Sequence, residues 1–186
     1  MRGSTVGAVI RIDSYDPAWA NRFTELGLSL RSALGDVAVR IDHIGSTAVP
    51  GLAAKPIIDI QISVSSLEPV EPFRMPLEAL GYVYRPDNPE RTKRYFREPP
   101  GTPRTHIHVR KLGSFSQQFP LLLRDYLRTH PEELPPYETL KRSLAAQHPD
   151  DRTAYTNAKL PWFWQTIQRA DTWSQATGWE PAPTDA

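Results

Sequence analysis

The stretch HIGSTAVPGLAAKPIIDI, from His43 to Ile60, carries the strongest structural signal in this sequence. It joins two segments, residues 37–44 and 57–64, that have the two-residue period of β-strands. The loop between them is rich in small residues and leaves backbone N–H groups exposed beside the hydroxyl of Ser46. Because such concave loops bind anions, we predict a phosphate site at Gly45, Ser46 and Thr47.

A Gly-Ser pair by itself is more often an ordinary turn, because turn chemistry favours both residues. The strand that follows favours the anion site instead. Its alternation places Asp59 and Gln61 side by side on one face, with aliphatic residues on the other. A carboxylate next to a phosphate loop is suited to a divalent cation, and Lys55 adds a positive charge to the loop.

Outside this block the sequence alternates between helical and strand periods. Asp16 before Pro17 is a typical helix start and Gly35 a typical end, which predicts an amphipathic helix over 17–34. Residues 66–80 predict a second helix that its three prolines break or confine to its second half. Three more strands are predicted at 82–85, 95–97 and 105–111, followed by helices near 119–127, 137–147 and 150–177.

The order of these elements predicts an α+β fold, in which helices cover a small mixed β-sheet and the C-terminal third is helical. The chain has 186 residues, enough for one domain to bury a hydrophobic core without disulfides. We expect one domain over residues 13–177, with residues 1–12 as a tail or edge strand and residues 178–186 as a C-terminal tail.

The composition excludes several classes of site. The chain has no cysteine, which rules out a disulfide framework, a thiolate zinc site and a cysteine nucleophile. No apolar run approaches the roughly 20 residues of a membrane helix. With no visible secretory signal either, we expect a cytoplasmic protein without a membrane partner. The formal net charge of +1 makes nucleic acid an unfavoured partner.

Two histidines add metal-binding or acid-base chemistry to the predicted site. His106 and His108 are two residues apart on a predicted strand, so their side chains share a face. Together with Asp59 and His43 they could form a mixed nitrogen and oxygen site for a divalent metal. Histidines in strands are more often hydrogen-bonded structural residues. Without a metal, either one could act as a general base or bind phosphate when protonated.

Further cations are available to an anion. Arg94 belongs to a basic stretch, residues 91–97, which we interpret as part of an anion pocket; a solvated strand edge is the alternative. Tyr155 and Lys159 are four residues apart and share a helix face. Lys159 could reach a phosphate or pair with Asp59, whereas a surface lysine on an amphipathic helix is the simpler interpretation.

Five segments of the chain form a recognisable set. They are YDPAWANRF (Tyr15–Phe23), the block His43–Ile60, PRTHIHV (Pro103–Val109), RDYLRTHPE (Arg124–Glu132) and YTNAK (Tyr155–Lys159). Together they resemble the marks of the GrpB family, whose fold is similar to that of the nucleotidyltransferase superfamily.

The resemblance implies a nucleotidyltransferase-like fold in which Gly45 and Ser46 cradle a triphosphate and Asp59 holds magnesium. In the superfamily pattern a second acidic residue lies two positions further along the strand and a third on a later strand. Gln61 occupies the second position here, and the later strand carries His106 and His108. Glutamine cannot supply the charge of a two-metal site, so classical nucleotidyl transfer is in question.

The predicted function is binding of a nucleotide or another phosphorylated small molecule, with nucleotidyl or phosphoryl transfer assisted by magnesium or a transition metal. Two alternatives remain: a non-catalytic nucleotide- or anion-binding module, and a protein-binding role through an apolar patch at Trp162–Trp173. The predicted catalytic residues are Asp59, Gln61, His106 and His108, of which Asp59, His106 and His108 are the metal ligands. The predicted phosphate-binding residues are His43, Gly45, Ser46, Thr47, Lys55, Arg94, Tyr155 and Lys159.

Overall fold

The structure is a computed structural model that describes residues 9–186. Its helices are α1 (Ala18–Leu34), α2 (Glu71–Ala79), α3 (Phe115–Thr129), α4 (Leu134–Gln147), α5 (Arg152–Ala158) and α6 (Leu160–Thr177). Its strands are β1 (Arg40–Ile44), β2 (Ile58–Val64), β3 (Val83–Tyr84), β4 (Lys93–Arg97) and β5 (Thr105–Lys111). No helix within the described range is long and apolar enough to cross a membrane.

The five strands form one mixed sheet in the order β1-β2-β5-β4-β3. Strand β2 pairs antiparallel with β1 and parallel with β5, while β4 runs antiparallel to both β5 and β3. The predicted α+β class with a small mixed sheet is therefore confirmed. In the parallel pair, Asp59 lies opposite His106 and Gln61 opposite His108. This register joins two segments that are about fifty residues apart in the chain.

The sheet has helices on both faces. Ile58, Ile60, Ile62 and Val64 of β2 are buried in one core cluster with apolar residues of α1 and α2. Burying an aliphatic side chain of this size contributes about 2 kcal/mol, so the alternation of β2 fixes which face meets α1. Helix α3 contacts β1 and β5 on the opposite face, where Gln117 receives a hydrogen bond from Gln61.

Prolines limit two of the predicted helices, and only the longer one differs from its prediction. The predicted helix over 150–177 is two helices, α5 and α6, which meet at Lys159. Pro161 has no N–H to donate to the carbonyl of Asn157, and its ring crowds that carbonyl, so the helix cannot run through. The predicted helix over 66–80 is confined to its second half, Glu71–Ala79, and Pro72 lies in its first turn, where a proline is tolerated.

The described parts of both predicted tails contact the domain. Ile10 and Ile12 are buried, and the N–H of Ile10 donates to the carbonyl of Pro149. At the other end, the hydroxyl of Thr184 accepts a hydrogen bond from the N–H of Ile41, and the carboxylate of Asp185 accepts one from the N–H of His43. The C-terminal residues therefore lie along β1. Residues 1–8 of the predicted N-terminal tail lie outside the described range.

The helices of the C-terminal third pack around aromatic residues. The ring of Tyr137 on α4 stacks on that of Trp162 on α6, with centroids 3.6 Å apart and planes inclined by 3°. Trp173 packs edge-on against Tyr126 of α3. Trp162 and Trp173 thus belong to the packing between helices, while Trp164, between them in sequence, remains 55% exposed.

Candidate functional site

The predicted phosphate loop has a backbone that only glycine accommodates at its first position. Gly45 has φ 75° and ψ −173°, a conformation nearly restricted to glycine. A β-carbon there would lie 2.8 Å from Oδ2 of Asp59, closer than any ordinary contact. The next residues, Ser46–Ala48, form a short 3-10 turn. The loop and the carboxylate are therefore in direct contact, as the sequence pattern predicted.

Asp59, His106 and His108 form one cluster on the face of the sheet that carries this loop. Nδ1 of His106 and Nε2 of His108 each lie 3.2 Å from Oδ1 of Asp59, and one ligand atom from each residue falls within 4.8 Å of the others. The ring of Tyr95 on β4 packs against both imidazoles, with centroid distances of 5.6 and 5.3 Å. The sheet register thus assembles the three predicted metal ligands.

Hydrogen bonding assigns the protons of the cluster. Nη2 of Arg104 donates to Nε2 of His106 at 3.2 Å, so the proton of that imidazole is on Nδ1 and points to Asp59. Nε2–H of His108 donates to the same carboxylate oxygen, whereas its Nδ1 is buried and has no hydrogen-bond partner within residues 9–186.

The cluster includes a neutral imidazole and an ionised carboxylate at pH 7. Burial opposes ionisation of Asp59, but hydrogen bonds from His106 and His108 outweigh it and hold the pKa of this carboxyl well below its usual range. Burial lowers the pKa of His108 to about 4, although Asp59 acts in the opposite direction. The cluster therefore presents a negative oxygen to a cation, and each imidazole nitrogen that faces Asp59 would have to give up its proton before it could bind a metal.

Two lysines lie near this cluster: Lys55 in the loop before β2 and Lys159 between α5 and α6, and the charge of Asp59 acts on both. Nζ of Lys55 and Nζ of Lys159 each lie 4.7 Å from the centroid of the Tyr155 ring. Burial, followed by the charge of Lys55, lowers the pKa of Lys159 to about 8. Burial also lowers the pKa of Lys55. Within residues 9–186 neither ammonium group forms an ion pair with a carboxylate.

A cavity of about 390 Å³ lies between the loop, the cluster and the lysines. His108 is not among the lining residues, but eight of the twelve predicted site residues are: Gly45, Ser46, Thr47, Lys55, Asp59, His106, Tyr155 and Lys159. Among the other lining residues, three have ionisable side chains that the sequence analysis did not assign: Arg124, Tyr137 and Lys141. Lys141 donates to the carbonyl of Ala53 and lies over the Tyr137 ring, and burial lowers its pKa to about 7.

His43 lies outside this cavity and supports the loop on the side that faces away from it. Its ring stacks on Phe23 of α1 at 4.8 Å, and Nε2 donates to Oγ1 of Thr47 at 3.0 Å. That hydroxyl in turn donates to the carbonyl of Ile57. Burial lowers the pKa of His43 to about 4, so it is neutral. We therefore interpret His43 as a residue that positions the loop, in place of the predicted phosphate contact.

Gln61 and Arg94 are also outside the cavity. Gln61 is fully buried: its Oε1 accepts from Arg110 at 2.8 Å and its Nε2 donates to the carbonyl of Gln117 at 2.9 Å. Its amide is thus engaged under α3 and offers no ligand to a metal in the cavity. The side chain of Arg94 lies on the other face of the sheet, where it forms an ion pair with Glu68. Neither predicted role matches these positions.

Arg104 and Tyr95 are site residues that the sequence analysis did not assign. Arg104 shares the strand alternation of His106 and His108, so its position on this face was predictable from spacing alone. Tyr95 shares a face of β4 with Lys93 and Arg97, but only the β4-β5 register places it opposite His108. Lys141 had no such signal, because its approach to the loop depends on how α4 packs.

Comparison with solved structures places the fold in the nucleotidyltransferase-like class. The chain is similar to the Cid1 poly(U) polymerase in its MgGTP-bound structure, with a TM-score of 0.52 and 17% identity over 73% of this chain and 44% of that one. A further Cid1 structure, with Mg 3′-dATP bound, gives a TM-score of 0.53 at 15% identity, over 79% of this chain and 49% of that one. At this identity the similarity shows the fold alone.

The GrpB protein family model matches residues 9–169, and the chain belongs to this family. The crystal structure of GrpB from Enterococcus faecalis is similar, with a TM-score of 0.78 and 34% identity over 86% of this chain and 96% of that one. UPF0157 protein YqkA of Bacillus subtilis is 39% identical over 89% of this chain and 48% of that protein. A dephospho-CoA kinase of Mycolicibacterium paratuberculosis is 36% identical over 94% of this chain and 49% of its own length. The chain thus spans about half the length of these two relatives.

Replacing Gly45 with alanine is expected to destabilise the fold by about 3 kcal/mol, because both the backbone conformation and the contact with Asp59 oppose a β-carbon. Gly113→Ala is the control: Gly113 has φ +73°, but a β-carbon there meets nothing within 4 Å. We expect the control to cost about 1 kcal/mol in urea unfolding. If the two variants lost the same free energy of unfolding, the contact between Asp59 and a β-carbon at position 45 would not contribute to the effect.

Proposed function

We propose that this protein binds a nucleotide or another phosphorylated small molecule in the cavity, with phosphate between the Gly45-Ser46 loop and the two lysines. We further propose that a divalent transition metal held by Asp59, His106 and His108 assists transfer of a phosphoryl or nucleotidyl group. The observation that carries the binding proposal is the pair Lys55 and Lys159, which meet at one aromatic ring without a carboxylate partner within residues 9–186.

Electrostatics supports an anion at this position. Two ammonium groups near one ring repel each other, and burial removes the water that would screen the repulsion. The face of Tyr155 attracts both cations, but a cation–π contact offsets only part of the cost. A phosphate between the lysines would form charge-assisted hydrogen bonds with both, and the exposed N–H groups of the loop would bind its other oxygens.

The ligand atoms at the cluster fit a transition metal better than magnesium. Magnesium prefers six oxygens in an octahedron, whereas the cluster offers two imidazole nitrogens and one carboxylate, and Gln61 is engaged elsewhere. Two histidines and one carboxylate are the ligand set of zinc and of non-haem iron. Such a metal, when bound, polarises a phosphoryl oxygen and lowers the pKa of a bound water.

The protein side chains have separate tasks in this proposal. Lys55 and Lys159 neutralise the phosphate and orient it toward Asp59. Arg104 now donates to Nε2 of His106, and coordination through Nδ1 would leave the proton on Nε2. Arg104 would therefore have to turn away from His106 when a metal binds. The nucleotide class of ligand is supported by the nucleotide-bound Cid1 neighbours and by the relatives named dephospho-CoA kinase.

A non-catalytic anion-binding module is the second candidate, and the hydrogen bonds of the cluster favour it. Asp59 receives both imidazole N–H groups and Arg104 satisfies His106, so most of the network is complete without a metal. The two candidates share the anion site and differ only in metal binding. Metal content after incubation with Zn²⁺, Mn²⁺ or Mg²⁺ separates them.

The anion site predicts a distinct pH dependence. Binding requires protonated lysines, and the pKa of Lys159 is about 8, so affinity for inorganic sulfate should fall about tenfold between pH 7 and 9. Sulfate is a suitable probe in calorimetry because its own charge is constant over this range. Lys159→Gln should bind sulfate about tenfold more weakly at pH 7 and lose the part of the pH dependence that Lys159 causes, while Lys141, with a pKa of about 7, continues to titrate at the cavity.

Arg91→Gln is the control for this measurement, since Arg91 is an exposed cation outside the cavity. It should leave both the affinity and its pH dependence unchanged. Failure of the wild-type protein to bind sulfate or phosphate at any pH would contradict the proposed function.

A further inference from the structure

A second cavity of about 420 Å³ adjoins the first and shares Lys55 and Ile57 with it. Its lining contains five cations and no acidic residue: Arg11, Arg22, Lys55, Arg104 and Arg152. These side chains come from five separate segments, including α1, the phosphate loop and α5. Cations that converge from distant parts of a chain of net charge +1 are a local feature, not a consequence of composition.

Most of this positive charge is not neutralised by the protein. Arg11 pairs with Asp13, and Nε of Arg104 lies 3.8 Å from a carboxylate oxygen of Glu98. Arg22 donates to the uncharged carbonyl of Pro103. Within residues 9–186 Arg152, like Lys55, has no carboxylate at ion-pair distance.

The cations of the second cavity also repel one another. Burial and the charges of Arg104 and Arg152 lower the pKa of Lys55, against the opposing effect of Asp59. Repulsion of this kind is relieved when an anion binds between the charges.

We propose that the second cavity binds a second phosphate group of the same ligand, so that the substrate is a small molecule with at least two phosphate groups. Lys55 lies at the boundary and contacts both groups. This inference rests on the proposed function, because it assigns the first phosphate to the cavity at Gly45 and Lys159. It narrows the substrate class from any phosphorylated compound to polyphosphates and bisphosphates.

The shape of the charge distribution favours a small polyanion over a nucleic acid. The five cations line a concave site, whereas binding along a nucleic-acid backbone requires an extended basic surface. An oligonucleotide is therefore the competing ligand in the test.

Calorimetry on the full chain with orthophosphate, pyrophosphate and linear tripolyphosphate tests the inference. We expect tripolyphosphate to bind at least about tenfold more tightly than orthophosphate. Arg152→Gln should remove most of that gain and reduce the affinity for orthophosphate much less than the affinity for tripolyphosphate. Lys159→Gln should weaken both ligands, and Arg91→Gln, which removes an equal charge outside both cavities, should weaken neither.

Several outcomes would overturn the inference. If Arg152→Gln reduced the affinity for orthophosphate and tripolyphosphate equally, or reduced neither, the second cavity would hold no separate phosphate. A single-stranded oligonucleotide that binds more tightly than tripolyphosphate would assign the cations to a nucleic acid. If orthophosphate binds and tripolyphosphate binds no more tightly, the second phosphate site is contradicted while the proposed function stands. If neither anion binds, both fail.

Discussion

Replacing Asp59 with asparagine is expected to reduce the affinity for Co²⁺ or Zn²⁺ by about 100-fold or more. The carboxylate oxygen is the atom on which both imidazoles converge, at 3.2 Å each, and it carries the negative charge of the cluster. Asparagine has the same shape but no charge, so the fold should be retained. Cobalt is the most informative probe, because its visible absorption reports nitrogen and oxygen ligation directly, without a requirement for activity.

Further variants separate metal ligation from general electrostatics. His106→Gln and His108→Gln should each weaken cobalt binding and alter its absorption, whereas Asp36→Asn, an exposed carboxylate, should do neither. Arg104→Gln should tighten binding, since the donor that now occupies Nε2 of His106 is removed. Cobalt absorption that is identical in wild type and Asp59→Asn would exclude the cluster as the metal site and would favour the non-catalytic module.

The part of this site that the sequence predicts is the part encoded locally. The alternation of β2 identifies the face that carries Asp59, and a Gly-Ser pair at the end of a strand identifies a loop with free N–H groups. His106 and His108 follow the same rule on β5. Each of these inferences needs only the period of a strand and the preferences of a turn.

What the sequence could not predict depends on which helix covers which part of the sheet. Gln61 shares a face with Asp59, but α3 covers Gln61 and leaves Asp59 at the cavity. The alternation assigns Arg94 to the face opposite Lys93, yet it does not say which of the two faces carries the site. Lys141 enters the cavity because α4 packs on the loop, a contact between segments almost ninety residues apart. Such packing arises from tertiary structure, which local periodicity does not contain.

Arg124→Met is expected to cost about 3 kcal/mol in the free energy of unfolding, an effect as large as that expected for Gly45→Ala. Arg124 is 2% exposed. Its Nη1 donates to the carbonyl of His43 at 3.0 Å and to Asp185 at 2.8 Å, and its Nε donates to Asp125 at 2.7 Å. Methionine fills much of the volume but leaves the carbonyl and the carboxylates without their donor.

The position of Arg124 links this stability effect to the site. The carbonyl of His43 lies two residues before Gly45, so the loop should lose part of its support, and sulfate affinity should fall together with stability. Arg169→Met, which breaks a surface pair with Glu133, should cost less than about 1 kcal/mol and leave sulfate binding unchanged. Urea unfolding and calorimetry on both variants test the link. A buried donor shared by three acceptors cannot be removed without cost unless water or another cation replaces it. If Arg124→Met proved no less stable than Arg169→Met, the buried hydrogen-bond network of Arg124 would therefore not be what anchors β1, α3 and the C-terminal residues to one another.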